Sequence, residues 1–507
     1  MRKSGKIIVL AAVLGAAAAL ITGVPAVLAA GATERNAPGN ASSGVSGGAV
    51  EARYAVFADG VFQITSAGRY ILSGTHTGQV RIQAGRNDIV ELVLDNVTLH
   101  NDRGPAVFAP RSQRVDLLLT EGSVNNISDG NHPNDEANAA IYIQHDLSIS
   151  GKGTLNITGN YHHGIRVQDT LTVNDGTIAI TAKGDAMRGR DAVIIKGGNF
   201  TLNSGGDGIQ SNNDSNPNLG QITINGGNFI IQAGDDGIQG ETAVTINGGV
   251  FHITAKDDGI TCAGPVLISG GVIRITDCYE GIEGLNVTIT GGDIDIFSRD
   301  DGINARERSA IAGGAARGAV AQMRGRFMTP RTVNNNIFVR ITGGNIHVHA
   351  LTDGIDSNYN VFLDGGTLHI SGPSRGMEGA IDLDGTFLIT GGELVTAGSV
   401  LNVSGQSTQP VLIVAHSRQF MADSLIEITD KRGVTILSYT AENAFYMSAF
   451  TSPGFIVGET YSLRVNGDKI EDITLTNTVT NSGSGNNNRG FEGGRGGGFR
   501  APPRPWI

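Results

Sequence analysis

Two glycine-marked corners recur along this chain on a shared beat, and no other feature limits its fold so tightly. The first is a Gly-Gly or Asp-Gly pair followed by an apolar-polar-apolar triplet. It stands at Asp175-Gly176, Gly197-Gly198, Gly226-Gly227, Gly248-Gly249, Gly270-Gly271, Gly291-Gly292, Gly343-Gly344, Gly365-Gly366 and Gly391-Gly392. The second glycines of these pairs are separated by 22, 29, 22, 22, 21, 52, 22 and 26 residues. The other corner is an acid, a glycine and an aliphatic: Asp207-Gly208-Ile209, Asp236-Gly237-Ile238, Asp258-Gly259-Ile260, Glu280-Gly281-Ile282, Asp301-Gly302-Ile303 and Asp353-Gly354-Ile355. Looser members are His163-Gly164-Ile165, Asp185-Ala186-Met187 and Glu378-Gly379-Ala380. Two markers in phase define a repeat of about 22 residues, with insertions in the steps of 29 and 52.

Between corners the apolar residues alternate, as they do along a strand. Val244, Ile246, Phe251, Ile253 and Ile260 are expected to point inward, and Thr245, Asn247, His252 and Thr254 outward. The next repeat places Val266, Ile268, Ile273, Ile275 and Ile282 in the same columns, and the one after places Val287, Ile289, Ile294, Ile296 and Ile303 there. Identical columns at a constant period mean that each strand pairs with its copy one repeat away, at about 4.8 Å. Three short strands and three corners per repeat describe an all-β fold, a right-handed parallel β-helix with about 22 residues per coil. Composition agrees: with 74 glycines and only 5% aromatics the chain suits a thin stacked column better than a wide core.

Residues 1–32 resemble a secretory signal, with a basic start (Arg2, Lys3, Lys6), an apolar stretch from Ile7 to Ile21, and Ala30-Gly31-Ala32 as the cleavage site. A secreted protein, extracellular or at the cell surface, follows, with no membrane attachment after cleavage. Loss of the three leader bases takes the formal net charge from −11 to −14. Such an acidic protein, poor in base-stacking aromatics, is a poor partner for nucleic acid and a good one for divalent cations. Residues 33–53 read as a linker and 54–405 as the β-helix, its first coils irregular. Residues 406–477, where the glycine corners stop, read as a small β-rich unit capping the open end. Residues 478–507, rich in Asn, Gly, Arg and Pro, read as a disordered tail. The long step holds an inserted loop at 306–336 with Arg306, Arg308, Arg317, Arg324, Arg326 and Arg331 against Glu307. Cys262 and Cys278 fall at different positions of successive coils, which argues against a disulfide scaffold. A monomer is the expected state.

If the coils are in register, Asp207, Asp236, Asp258, Glu280, Asp301 and Asp353 stack in one column. Asp235, Asp257 and Asp300 double it, and Glu283 and Asp356 lie three residues beyond the column acid. Adjacent carboxylates about 5 Å apart repel by roughly 1 kcal/mol per pair in water, and more where water is excluded. Ca²⁺, which takes six to eight oxygens in flexible geometry, is the natural counterion. A single Asp-Gly is ordinary turn chemistry; the doubled column favours cations.

These motifs resemble a family of secreted bacterial carbohydrate-binding proteins with a polysaccharide-lyase-like β-helix. The resemblance rests on Ala139-Ala140-Ile141-Tyr142, Gly159-Asn160-Tyr161-His162-His163-Gly164-Ile165, the Asp-Gly-Ile series and Gly458-Glu459-Thr460-Tyr461, and spans roughly residues 60–470. It implies calcium along the helix and binding of acidic plant polysaccharide such as polygalacturonate, with cellulose as a further ligand and without demonstrated catalysis. The broken corner at Asp185-Ala186-Met187 and the basic insertion depart from the family pattern.

Two alternatives stand beside binding. Pectate-type lyases abstract an acidified C5 proton with a Lys or Arg base. Lys256, beside Asp257 and Asp258, is the best candidate, although an acid pair raises rather than lowers a lysine pKa. A hydrolase would concentrate its acids in one cluster instead of spreading them over many coils. The other alternative is a structural or adhesive surface protein. The adjacent His162 and His163 would point to opposite sides of a strand, so His163 is expected in the acid column.

Overall fold

The computed structural model describes residues 52–131, 137–307, 334–373, 379–400 and 402–483. The signal segment 1–32, nearly all of the linker, residues 308–333 of the inserted loop and the tail from 484 onward lie outside them. The described residues contain no α-helix and no helix able to cross a membrane. Up to residue 397 they form long sheets of parallel strands, a solenoid in which strands pair with their counterparts in the next repeat.

One repeat shows how the sequence produces this. Ala192–Ile195, Asn199–Ser204 and Ile209–Ser211 are its three strands, each paired in parallel with Gln221–Ile224, Asn228–Ala233 and Ile238–Gly240 of the following one. The 13 third-position strands form a sheet of their own. The paired register carries Phe200 onto Phe229, Phe251, Ile273, Ile294, Ile346, Leu368 and Leu394 in turn. The three phenylalanines stack at centroid distances of 4.6 and 4.5 Å with planes 3° and 2° apart. That spacing is the interstrand distance itself. Inward residues are all buried, from Val244 and Ile246 to Ile296 and Ile303, and each such side chain contributes about 1.5–3 kcal/mol.

Both corners are set by close main-chain approach. Gly249 adopts φ +117°, and a Cβ there would lie 2.9 Å from the Phe251 ring and 3.0 Å from the Gly227 carbonyl. At the acid corner a Cβ on Gly237 would lie 2.5 Å from the Gly259 oxygen and 2.6 Å from Cγ2 of Ile253. Glycine here makes room for a β-branched residue. Ala186 is accommodated at the equivalent position because Leu202, unbranched at Cβ, is in register with Ile231, the residue over Gly208. The corner at 185–187 is therefore intact in shape.

At the C-terminal end the direction reverses. Phe445–Thr451 pairs antiparallel with Glu393–Ala397, the last strand of its column, and with Val411–Phe420. A four-stranded antiparallel sheet of Ser424–Thr429, Thr435–Ala441, Thr460–Val465 and Asp468–Thr474 follows. Its core contains Ile426, Ile428, Phe445, Phe450, Phe455 and Leu463. Val479–Ser482 runs parallel to Val411–Val414, so the segment from 478, whose composition suggests a disordered tail, begins with a strand. Cys262 and Cys278 are buried and not joined in a disulfide, and burial pushes the Cys278 thiol up to about 12.

Candidate cation ladder and carbohydrate surface

The acid corner lies between the second and third strands of each repeat, and the register brings its carboxylates into a column. Asp207 Oδ1 accepts the Asp236 N–H at 3.0 Å, and Asp236 Oδ1 accepts the Asp258 N–H at 3.0 Å. Asp301 Oδ1 accepts the Asp353 N–H at 3.2 Å, and Asp353 Oδ1 that of Gly379. In each of these acids one oxygen serves the main chain of the next repeat. The corner chemistry and the charge column are thus the same residues.

Asp207, Asp236, Asp258, Glu280, Glu283, Asp301 and Asp353 are buried; Asp257, Asp300 and Asp356 are half-buried, and Asp235 is exposed. Among the described residues four groups of acids bring ligand oxygens within 4.8 Å of one another. They are Asp207/Asp235/Asp236, Asp236/Asp257/Asp258, Asp258/Glu280/Glu283 and Glu280/Asp300/Asp301. Consecutive groups overlap, through Asp236, Asp258 and Glu280. Asp353 and Asp356 join none of these groups; the pairing of Ile355 with Ile381 places Gly379 rather than Glu378 in the column after Asp353, so the acid column ends there and the corner read at Glu378-Gly379-Ala380 is shifted by one residue. Burial first, then neighbouring carboxylates, hold the pKa values of Asp207, Asp258 and Glu280 well above the ordinary range. A column so arranged takes up protons or cations.

The position three residues past each acid forms a second column, aligned as Arg166, Arg188, Gln210, Gln239, Thr261, Glu283, Asn304 and Asp356. These side chains adjust the charge of the ladder. Gln210 donates to Asp207, and Gln239 to Asp236 at 2.8 Å. Asn304 Nδ2 donates to Glu280 at 3.1 Å and Asp301 at 3.4 Å. Its Oδ1 is buried without a hydrogen-bond partner, as is Thr261 Oγ1, so neutral oxygens add to the carboxylates there. The donor set is all oxygen, which fits a hard cation such as Ca²⁺. Arg306 reaches back to Glu283 and, at 3.4 Å, to Glu280.

Two further residues complete the column at its N-terminal end. Asp185 Oδ1 accepts the Asp207 N–H at 3.0 Å, and His163 Nδ1 accepts the Asp185 N–H at 3.0 Å. Burial lowers the His163 pKa against the pull of Asp185, whose carboxylate lies 3.1 Å from His163 Nδ1 and 3.5 Å from Arg188. Sequence reasoning set Asp185 aside because its corner lacks glycine, and it left Arg306 with the basic loop. The three-residue offset already recognised for Glu283 and Asp356 is the signal that finds Asn304 and Arg306's neighbours. Lys256 is exposed on the shoulder of the ladder beside Asp257.

A groove of about 290 Å³ runs along the outward face of the second strand column, lined by Asn156, Thr158, Thr201, Asn203, Gln232 and Ile230, among others. Ile230 is 52% exposed. Hydroxyls and amides beside an apolar patch suit the mixed faces of a sugar ring.

A family model described as carbohydrate-binding domain-containing protein matches residues 58–325, a segment that holds all four acid groups. A carbohydrate-binding domain-containing protein of Acetivibrio thermocellus is 31% identical over 127 residues, which are 24% of this chain and 44% of that relative. The matched segment thus spans less than half of the relative's length. A solved structure, the polysaccharide lyase-like protein from C. thermocellum as a gadolinium derivative, is 29% identical, with a TM-score of 0.41 over 42% of this chain and 89% of that one. With more than half of its length matched by the family model, the chain belongs to the carbohydrate-binding domain family.

Proposed function

We propose that this chain is a secreted, calcium-loaded binding protein for acidic polysaccharide such as polygalacturonate. Its body on this reading is a right-handed parallel β-helix with coils of about 22 residues, preceded by a cleaved leader at 1–32 and closed by the C-terminal β-rich unit. It acts outside the cell as a monomer. The observation that carries the proposal is the set of overlapping acid groups, each with ligand oxygens within 4.8 Å. So many buried like charges, supported by the partnerless oxygens of Asn304 and Thr261, call for cations rather than for local turn bonds alone. Asp207, Asp235, Asp236, Asp257, Asp258, Glu280, Glu283, Asp300 and Asp301 would hold the ions. Bound calcium would supply positive charge that bridges the protein acids to uronate carboxylates, while outward amides and hydroxyls bond sugar hydroxyls. Repetition along the column matches a repeating ligand better than it matches a single reacting bond.

The test is retention on polygalacturonate with and without chelator. Retention in Ca²⁺ that disappears in EDTA and returns on recalcification is the expected result. Retention indifferent to chelator would exclude calcium bridging. Failure to bind polygalacturonate in calcium would exclude the ligand class.

A further inference from the structure

The outward column of the third sheet changes character along its length. After Gln63 it carries Arg81, Phe108, Tyr142, Arg166 and Arg188 and continues through two amides and Thr261 to Glu283 and on to Asp356. One end is basic, and the other carries the acid ladder. Within the basic end Arg166 and Arg188 sit directly opposite each other in consecutive strands. Their guanidinium groups belong to an otherwise acidic protein, and among the described residues no carboxylate forms an ion pair with Arg166. Its Nη1 donates to the neutral Asn138 amide. The Arg166 group is half-buried and lies 5.7 Å from the Tyr142 ring centroid, so its planar fork is held in place. Burial and then the Arg188 charge act against its protonated form. Arg188 meets Asp185 at 3.5 Å with its side chain 23% exposed, and Gln168 donates to the Tyr142 hydroxyl at 2.9 Å.

At this end of the ladder Asp185 already has cationic and ring partners, Arg188 at 3.5 Å and His163 Nδ1 at 3.1 Å. We infer that Arg166 and Arg188 form a direct carboxylate subsite, seating a uronate of the polysaccharide beyond the last calcium-bridged residue. The inference rests on the acidic-polysaccharide reading above and locates one end of the bound chain. Guanidinium forks match a carboxylate's two oxygens, and adjacent arginines one strand spacing apart present two such forks to a repeating anion. The strand before Arg166 ends the charged run with the Tyr142 ring, so the polymer is bound from the arginine pair toward Asp207 and the metal-holding groups.

The experiment titrates an oligogalacturonate into full-length protein in saturating Ca²⁺ and compares wild type, Arg166→Gln, Arg166→Lys and the double variant Arg166→Gln/Arg188→Gln. Terbium luminescence reports metal binding in parallel. The expected result is an affinity about tenfold lower for Arg166→Gln, lower again for the double variant, and partly retained by Arg166→Lys, with terbium binding unchanged in Arg166→Gln. Equal affinity of wild type and both glutamine variants would overturn the subsite and leave calcium bridging standing. Absence of any oligogalacturonate binding by wild type would overturn both. Should Arg166→Gln not fold, Arg166→Lys decides: affinity equal to wild type at doubled ionic strength as well as at low salt rejects the fork.

Discussion

Replacing Asp258 by asparagine should change the sign of its effect on stability when calcium is supplied. The carboxyl is buried between Asp236 and Glu283, and burial, then Glu283, then Asp236 raise its pKa well above normal. Ligand oxygens in its two groups lie within 4.8 Å, where like charges repel by about 3 kcal/mol at an effective dielectric of about 20. Because the folded pKa is raised, the acid costs nothing below the ordinary carboxylate pKa near 4 and progressively more as pH climbs toward the folded value. Protonation limits that cost to about 1.4 kcal/mol per pH unit, hence about 4 kcal/mol at pH 7. In EDTA, Asp258→Asn should therefore be more stable than the parent, by almost nothing near pH 4 and by up to about 4 kcal/mol at pH 7. In calcium at a hundred times its Kd, each occupied site stabilises the parent by about 2.7 kcal/mol. Asp258 belongs to two of the four acid groups, so the variant forgoes that gain and becomes the less stable protein. Urea titrations between pH 4.5 and 8, with EDTA or CaCl₂, measure both arms. A variant less stable than the parent in EDTA at pH 7, or equally displaced in both buffers, would refute the reasoning.

Three further outcomes follow from the packing. Phe229→Ala, at the centre of the fully buried ring stack, should cost about 3–5 kcal/mol in urea unfolding; a cost below 1 would mean that the column does not hold the repeats together. Gly237→Ala forces a Cβ to within 2.6 Å of both the Gly259 oxygen and Ile253 and should cost at least about 1–3 kcal/mol, whereas Ala186→Gly should cost only about 1 kcal/mol through chain entropy. His347 bridges Asp295 at 2.8 Å and Glu442 at 2.9 Å, tying the C-terminal unit to the solenoid. The Glu442 hydrogen bond, against burial and with help from Asp295, raises its pKa to about 9. This raised pKa makes the clamp's contribution complete below about pH 6.5 and lost as pH rises through the folded value, so hydrogen exchange in residues 435–451 should accelerate across that window in the parent and lose this step in His347→Gln.

The fold was legible because its two markers are steric necessities. A doubled glycine corner with a left-handed second residue and an acid-glycine corner under a β-branched side chain can be read without any partner in view, and the hydrogen bond from Asp236 N to Asp207 spans the same 29 residues as the lengthened step between the glycine corners. The ladder was legible for the same reason, up to the point where geometry relaxed: Asp185 was hidden because Leu202 lets alanine replace glycine. Arg306 was hidden by composition, since a residue in a run of arginines reads as loop although its main-chain bond to Gly284 sets it beside Glu283 and Glu280. The arginine pair was written three places after His163 and Asp185, an offset legible only once those residues are seen to belong to the acid column. The C-terminal unit was the least legible part in its pairing, because antiparallel contacts such as Leu394 with Thr451 join distant segments that share no repeat.

That reversed strand has a consequence for how such a molecule can lengthen. A solenoid ending on an open parallel edge could acquire a coil at its terminus, or dock end to end with another copy. Here Phe445–Thr451 presents the opposite chain direction to anything that would follow Glu393–Ala397. At this end, therefore, a coil can be added only by opening the stack between existing repeats, so a duplication there that lengthens the acid column must be inherited as an insertion upstream of residue 393.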